Sequence, residues 1–131
     1  SGAENDPVDR RNQEIRATLF QRRERFAQLR AALTSPRTVF HIVLTAERLP
    51  VLESAEFHAD LTENGVHVGS MLVNRRTPEN QGEFVAARRA AEDEALALLR
   101  TQLPDTPVRE VPWLPEEVGT PGAVEKLAEF L

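Results

Sequence analysis

Residues 37–131 alternate strand-like and helix-like segments, and this order is what most constrains the fold. The first strand candidate, residues 38–45, is a nearly continuous apolar run, which is typical of a parallel strand covered on both faces. Helical segments separate it from two further candidates, residues 67–73 and 108–111. Such an order predicts βαβ units with right-handed crossovers. The predicted fold is therefore α/β, a partial parallel sheet of about three strands with flanking helices.

Proline and glycine residues mark the predicted ends of the helices in this region. The segment 50–64 has a proline in its predicted first turn and Gly65 as a left-handed cap. A polar loop over residues 75–82 precedes an Ala- and Leu-rich helix over 83–103, and a short amphipathic helix is predicted over 124–131. The residues of the long helix predicted to face inward are Val85, Ala91, Ala95, Leu98 and Leu99.

One long helix, from Pro7 or Val8 to Leu33, is predicted before the α/β region, with Thr34-Ser35-Pro36 ending it. Its apolar residues form a heptad-like seam, in which Arg22 fills the one polar position; they are Ile15, Leu19, Phe26, Leu29 and Leu33. The surrounding arginines are typical of a solvated face, and alternatively of a helix that binds a partner. We therefore predict two regions, the long helix of residues 1–36 and the α/β region of residues 37–131.

Composition excludes several classes of function. The net charge is −5, and residues 1–36 carry seven Arg and five acids, whereas residues 37–131 carry nine bases and 16 acids. An acidic domain with few aromatic residues argues against nucleic-acid binding. The absence of Cys excludes disulfides and thiolate metal sites. Without a long apolar run or a signal peptide, we expect a soluble, cytoplasmic protein. Because the sequence opens on Ser1-Gly2-Ala3 without Met, we also expect a truncation at the N-terminus.

Residues suited to holding a flat polar ligand follow all three strand candidates. Glu47 follows the first, Asn74 follows the second, and Pro112 with Trp113 follows the third. Ligands of open α/β sheets collect outside the carboxyl ends of the strands, so we expect these four residues to be neighbours. Taken singly, each is ordinary loop or turn chemistry.

Other kinds of site are not indicated. His41, His58 and His67 have no metal-ligand spacing, and no Ser/His/Asp order or acid pair suggests nucleophilic or glycosidic catalysis. Neither GxxxxGK[ST] nor GxGxxG occurs. We therefore predict no catalytic residue and no metal ligand in this chain, which has the features of half of a nucleotide site.

From Phe40 onward the chain resembles the C-terminal part of the ArsA-type anion-transporting (arsenite-transporting or tail-anchored-protein-targeting) ATPases, bacterial branch. Residues 43–54, VLTAERLPVLES, are similar to the family's ExLxxxET, and residues 69–75, GSMLVNR, to its xxxxVVNR. The segments 86–89 (AARR) and 111–118 (VPWLPEEV) follow in the same order. The resemblance implies the C-terminal portion of a P-loop NTPase fold, with the long first helix belonging to the helical subdomain.

What the resemblance implies about the site is more specific. Glu47 and Asn74 would contact nucleotide, with Asn74 reading adenine, while Pro112 and Trp113 would line the adenine. ATP or ADP with Mg²⁺ would be the cofactor of the full-length enzyme, which the family implies to be a homodimer. The CxxC pair of the zinc-joined members is missing here, so no zinc is expected.

Two hypotheses follow. In the first, the chain is the C-terminal fragment of an ArsA-type ATPase and supplies adenine-side contacts and dimer surface. It would need the missing P-loop half, would not hydrolyse ATP alone, and would serve a membrane-protein client or a transporter subunit. In the second, it is a stand-alone, non-catalytic module that binds a partner helix through the seam.

Overall fold

The computed structural model describes residues 6–115 and 119–131, and its contacts divide the chain into two units, residues 1–38 and 39–131. In the first unit, α1 runs from Pro7 to Leu33. Asp6 caps its N-terminus, since the Asp6 side chain accepts a hydrogen bond of 3.0 Å from the backbone N–H of Val8. At its other end the backbone N–H of Thr34 donates to the carbonyl of Arg30. No residue of α1 is buried.

The second unit is an α/β structure, as predicted. Its elements in chain order are β1 (Phe40–Thr45), α2 (Arg48–Glu63), β2 (Val68–Arg76), α3 (Glu83–Gln102), β3 (Val108–Pro112) and α4 (Ala123–Ala128). The three strands are parallel and lie in the order β1-β2-β3. Neither α1 nor any other helix in the described ranges combines the length and the apolar character needed to cross a membrane.

The core lies between one face of the sheet and the two long helices α2 and α3. In the parallel register Ile42 lies opposite Met71 and Leu44 opposite Val73, and all four side chains are buried. The helices complete this core with Val51, Ala95, Leu96 and Leu99. Two crossovers of the same hand between sequential strands place both helices on the same face.

The other face of β1 does not match the sequence prediction. A strand covered on both faces was expected from the apolar run, yet Val43 is 61% exposed. Val43 points away from the neighbours Ile42 and Leu44, because successive strand residues face opposite sides. Residues 39–131 therefore bury one face of β1 and leave apolar surface on the other.

Two features of β2 and α3 correct the sequence analysis. The predicted loop over residues 75–82 begins too early, since β2 continues to Arg76, which lies opposite Pro112 of β3. The carbonyl of Arg76 also accepts a hydrogen bond of 3.0 Å from the Trp113 backbone N–H. On α3, Ala91 is exposed and Glu92 is buried, so the inward face is rotated from the predicted one.

Candidate functional site

Side chains from the carboxyl ends of all three strands line one small polar cavity. Its volume is about 80 Å³, and α3 closes one side of it. The residues that line it are Thr45, Ala46, Glu47, Arg75, Arg88, Glu92 and Trp113. The edge at which parallel strands end is where open α/β sheets bind their ligands.

The structure brings two of the four predicted site residues into this cavity. Glu47 is the residue before the first turn of α2, and its carboxylate makes no capping hydrogen bond. Trp113 follows β3 and is half exposed. Asn74 and Pro112 lie at the same edge, each next in sequence to a lining residue, but neither lines the cavity itself.

Arg75 connects the ends of β2 and β3 at the mouth of this cavity. Its guanidinium carbon lies 5.0 Å from the centroid of the Trp113 ring, a distance typical of a cation–π contact. The Arg75 backbone has a positive φ of 55°. Its N–H donates to the side-chain oxygen of Asn74 at 2.9 Å, which orients the Asn74 amide. The aromatic ring and the amide group are therefore both held at the end of the sheet by Arg75.

Arg76, the next residue, has a side chain that is only 5% exposed, and it fixes α3 against the sheet. Its Nε donates to Glu110 at 2.7 Å and one terminal nitrogen donates to Glu92 at 2.8 Å. Its other terminal nitrogen contacts the carboxylate of Asp93. Burial by itself lowers the pKa of Arg76, but the hydrogen bonds to Glu110, Glu92 and Asp93 outweigh burial and raise it. Arg76 is therefore a charged link between β2, β3 and α3.

Glu92 belongs both to this network and to the cavity. One carboxylate oxygen accepts hydrogen bonds from Arg76 and, at 3.0 Å, from the backbone N–H of Thr77, while the other accepts from the Thr77 hydroxyl at 2.5 Å. Burial opposes the charged form, but the bonds from Thr77 and Arg76 hold the pKa of Glu92 below its usual range. Glu110 behaves likewise, since bonds from Arg76 and Arg100 outweigh its burial and lower its pKa.

A wider and more open groove adjoins the cavity along α3. Its volume is about 660 Å³, and it shares Glu47, Arg88 and Glu92 with the cavity. Away from the shared residues its floor is largely apolar and includes Phe84, Ala87, Ala91 and Leu98. The site is thus a small polar cavity that adjoins a larger and mostly apolar groove.

Sequence reasoning missed the residues that shape the cavity. Arg88 lies in a segment that resembles the family and Arg76 directly follows another, but nothing in their local sequence distinguishes a buried arginine from an exposed one. Glu92 carried a usable indication, since it lies three and seven residues before Ala95 and Leu99 on the inward stripe of the helix. A carboxylate on that stripe needs a buried cation or several donors.

Comparison with known proteins identifies the family of this chain. The family model for anion-transporting ATPases of the ArsA type matches residues 4–131, nearly the whole chain. This chain belongs to that family. A protein of Aquifex aeolicus (strain VF5) that is named as an arsenical pump-driving ATPase is 33% identical over 113 residues. The match covers 86% of this chain and 36% of the relative.

The family assignment confirms the resemblance that the sequence motifs indicated. The three parallel strands of residues 39–131 and their flanking helices are consistent with a P-loop NTPase-like fold. This ArsA-type chain spans about a third of the length of the curated relative that it matches. Nucleotide and Mg²⁺ are used by ArsA-type ATPases in general.

Proposed function

We propose that residues 39–131 supply the base-side contacts for an adenine nucleotide in an ArsA-type ATPase. The observation that carries the proposal is the polar cavity into which Glu47, Arg75 and Trp113 project from the ends of the three strands. Three strand ends that converge on one recess are the usual position of a nucleotide in open α/β sheets. The family membership of the chain supports the same ligand class.

The chemistry of the individual groups suits a nucleoside. The half-exposed Trp113 ring offers a flat surface on which a base can stack, with Arg75 beside it. Asn74 uses its side-chain oxygen to accept from Arg75, so its amide nitrogen is the group left to donate to a ring nitrogen. The Glu47 carboxylate has no capping bond to break and can accept a ribose hydroxyl.

The sequence lacks the loop that holds the phosphates in P-loop ATPases. The sequence has no GxxxxGK[ST], and no cluster of three or more His, Asp or Glu able to hold a metal occurs among residues 6–115 and 119–131. Phosphoryl transfer needs backbone amides, a Lys and a metal ion around the phosphates. We therefore propose that this chain is the C-terminal part of the enzyme and is not hydrolytic alone. The proposal also includes a separate P-loop half that completes the site, a homodimer of the full-length enzyme, and a membrane-protein client or transporter subunit.

Saturation-transfer difference NMR with the full chain tests the nucleotide contacts. Stacking is worth about 1–3 kcal/mol per base, so we expect weak binding of ADP, with a Kd of about 5 mM or above, and weaker binding of CDP. Asn74→Ala should remove the preference for ADP. Asn12→Ala, in the first unit, should leave the preference unchanged.

Two results would contradict this function. One is equal saturation transfer to ADP and CDP that Asn74→Ala does not alter, because the amide would then have no role in reading the base. The other is ATP turnover by the purified chain that is retained through repeated chromatography, because the phosphate-binding groups would then have to lie within these residues.

A second function is favoured by a separate observation, the exposure of the apolar seam on α1. Leu19 is 58% exposed and Phe26 is 71% exposed on a helix that buries no residue. Exposed apolar stripes of this kind mark interaction surfaces. The alternative is therefore a stand-alone, non-catalytic module that binds a partner helix.

A further inference from the structure

The apolar stripe of α1 has the spacing of a coiled-coil seam. Its residues alternate between steps of four and three and are Ile15, Leu19, Arg22, Phe26, Leu29 and Leu33. In heptad terms Leu19, Phe26 and Leu33 occupy a, and Ile15, Arg22 and Leu29 occupy d. With 27 residues the helix is about 40 Å long, enough to present almost four heptads to a partner. We call these six residues the α1 seam.

The positions that flank the α1 seam carry charge of one sign. Four of the six flanking e and g positions over residues 15–33 are Arg, namely Arg16, Arg23, Arg25 and Arg30, and the other two are Thr18 and Ala32. No ion pair involves these four arginines within the described ranges. In the heptad before Ile15, the flanking e and g positions carry opposite charges, Asp9 and Arg11.

This charge arrangement disfavours pairing of α1 with a second copy of itself. In a parallel pair a g residue meets the e residue five positions later, so Arg25 would face Arg30 of the other copy. In an antiparallel pair e meets e, which brings Arg16, Arg23 and Arg30 against one another. Like charges at these positions select against a partner, and opposite charges select for it.

We propose that the α1 seam binds an amphipathic helix whose apolar stripe is flanked by Asp and Glu. Such a helix would bury Leu19 and Phe26 while its carboxylates pair with Arg16, Arg23, Arg25 and Arg30. A further carboxylate on its own stripe would meet Arg22, the one charged residue in the α1 seam. The inference rests on the second function above, partner-helix binding, and names the chemistry of that partner. It stands apart from the nucleotide contacts.

Arg22 also distinguishes this partner from a membrane surface. A helix that lies in a lipid interface buries a continuous apolar face among the acyl chains. Arg22 lies in the middle of that face, with Leu19 and Phe26 on either side of it. A charge there is costly among acyl chains but is satisfied by one carboxylate on a facing helix.

Fluorescence anisotropy with designed peptides and the full chain tests the proposal. The probe is a labelled peptide of about four heptads with Leu at a and d, Glu at e and g, and one Glu on its stripe to face Arg22. A second peptide has Lys in place of every Glu at e and g. At about 0.15 M salt we expect the acidic peptide to bind and the Lys peptide to bind at least about tenfold more weakly.

Two matched variants separate flank charge from net charge. The variant R16Q/R23Q/R25Q/R30Q lowers the net charge by the same amount as the control Q13E/Q21E/Q28E/A31E, which changes exposed residues outside the flanks. We expect about tenfold weaker binding of the acidic peptide by the first variant and little change in the control. A third variant, R16E/R23E/R25E/R30E, should reverse the preference in favour of the Lys peptide, which a merely unfolded helix would not do.

Three results would overturn the proposal. One is equal binding, or absence of binding, for both peptides by the unaltered chain. Another is tight binding of the helix to vesicles that contain an anionic lipid, with no competition by the acidic peptide. The last is a dimer in sedimentation that Leu19→Glu dissociates, since the arginine flanks would then tolerate a second copy.

Discussion

Replacement of Arg76 by Met should destabilise residues 39–131 strongly, because it removes the only cation that Glu92, Asp93 and Glu110 share in the described network. The side chain of Arg76 is 5% exposed and that of Glu92 is 9% exposed. Met retains the length and apolar stem of Arg but makes none of its bonds. The carboxylate of Glu92 would then remain buried with Thr77 and a more distant Arg88 as partners.

The magnitude follows from which partners stay buried. Loss of one partner from a buried ion pair costs about 3–5 kcal/mol. The carboxylates of Asp93 and Glu110 are 61% and 35% exposed and can regain water, and Glu92 keeps its bonds from Thr77. We therefore expect the lower end, about 3 kcal/mol of unfolding free energy.

Arg100→Met is the matched control, because Arg100 also pairs with Glu110 but is exposed at the surface. The side chain of Arg100 is 52% exposed and lies 3.3 Å from Glu110. An exposed pair contributes about 0.2–1 kcal/mol, so this variant should be nearly as stable as the parent. The two substitutions differ mainly in the burial of the arginine.

Urea unfolding followed by the fluorescence of Trp113, the only tryptophan, measures both variants. With an m-value of about 1.5 kcal/mol/M, Arg76→Met should lower the urea midpoint by about 2 M and Arg100→Met by less than about 0.7 M. Equal shifts for the two variants would refute the reasoning, since burial of the arginine would then make no difference.

Two further predictions concern the pH dependence of stability and the packing around Gly69. Because the pKa values of Glu92 and Glu110 are lowered from 4.5 in the folded chain, their stabilisation is present above about pH 4.5 and is lost as the pH falls through the folded values. Urea midpoints should therefore fall steeply below that pH, and a midpoint that stays constant there would count against the network. Gly69→Ala should cost about 1–3 kcal/mol, because the added Cβ would overlap the side chain of Val39. A Cβ at Gly119 meets no atom of the described residues within 4 Å, so Gly119→Ala should change stability by less than about 0.5 kcal/mol. Thermal melting of both variants decides this, and equal melting temperatures would mean that the close approach of Val39 imposes no constraint.

The fold was largely predictable because its local and global requirements agree. Hydrophobic periodicity and helix-ending residues predicted three parallel strands and the intervening helices. Gly65 has the expected positive φ of 79° at the end of α2. Asp6 and Pro7 likewise begin α1 where the sequence indicated. In these segments the local preferences of the chain and its packing favour the same structure.

The carboxyl end of β2 was the main error, and the reason is long-range electrostatics. Two successive arginines before a proline-containing segment are typical of an exposed loop. Arg76 is buried only because Glu92 and Glu110, which lie 16 and 34 residues away in the sequence, surround it. The local sequence pattern around Arg76 does not indicate partners that are so distant in the chain.

The candidate site was predictable in position and less so in detail. The rule that ligands bind at the carboxyl ends of parallel strands placed Glu47 and Trp113 at one edge of the sheet, and both residues line the same cavity. It gave no information on side-chain direction, and Asn74 and Pro112 lie beside the cavity without lining it. The roles of all four residues in nucleotide binding remain predictions.

The most direct test of the central proposal is a ¹H–¹⁵N correlation spectrum of the full chain during titration with adenosine. We expect the largest shifts at the Trp113 indole N–H, the Asn74 side-chain amide and the Glu47 backbone, with cytidine causing much smaller shifts. Absence of shifts at these groups, or shifts confined to α1, would contradict the assignment of the adenine contacts to the end of this sheet.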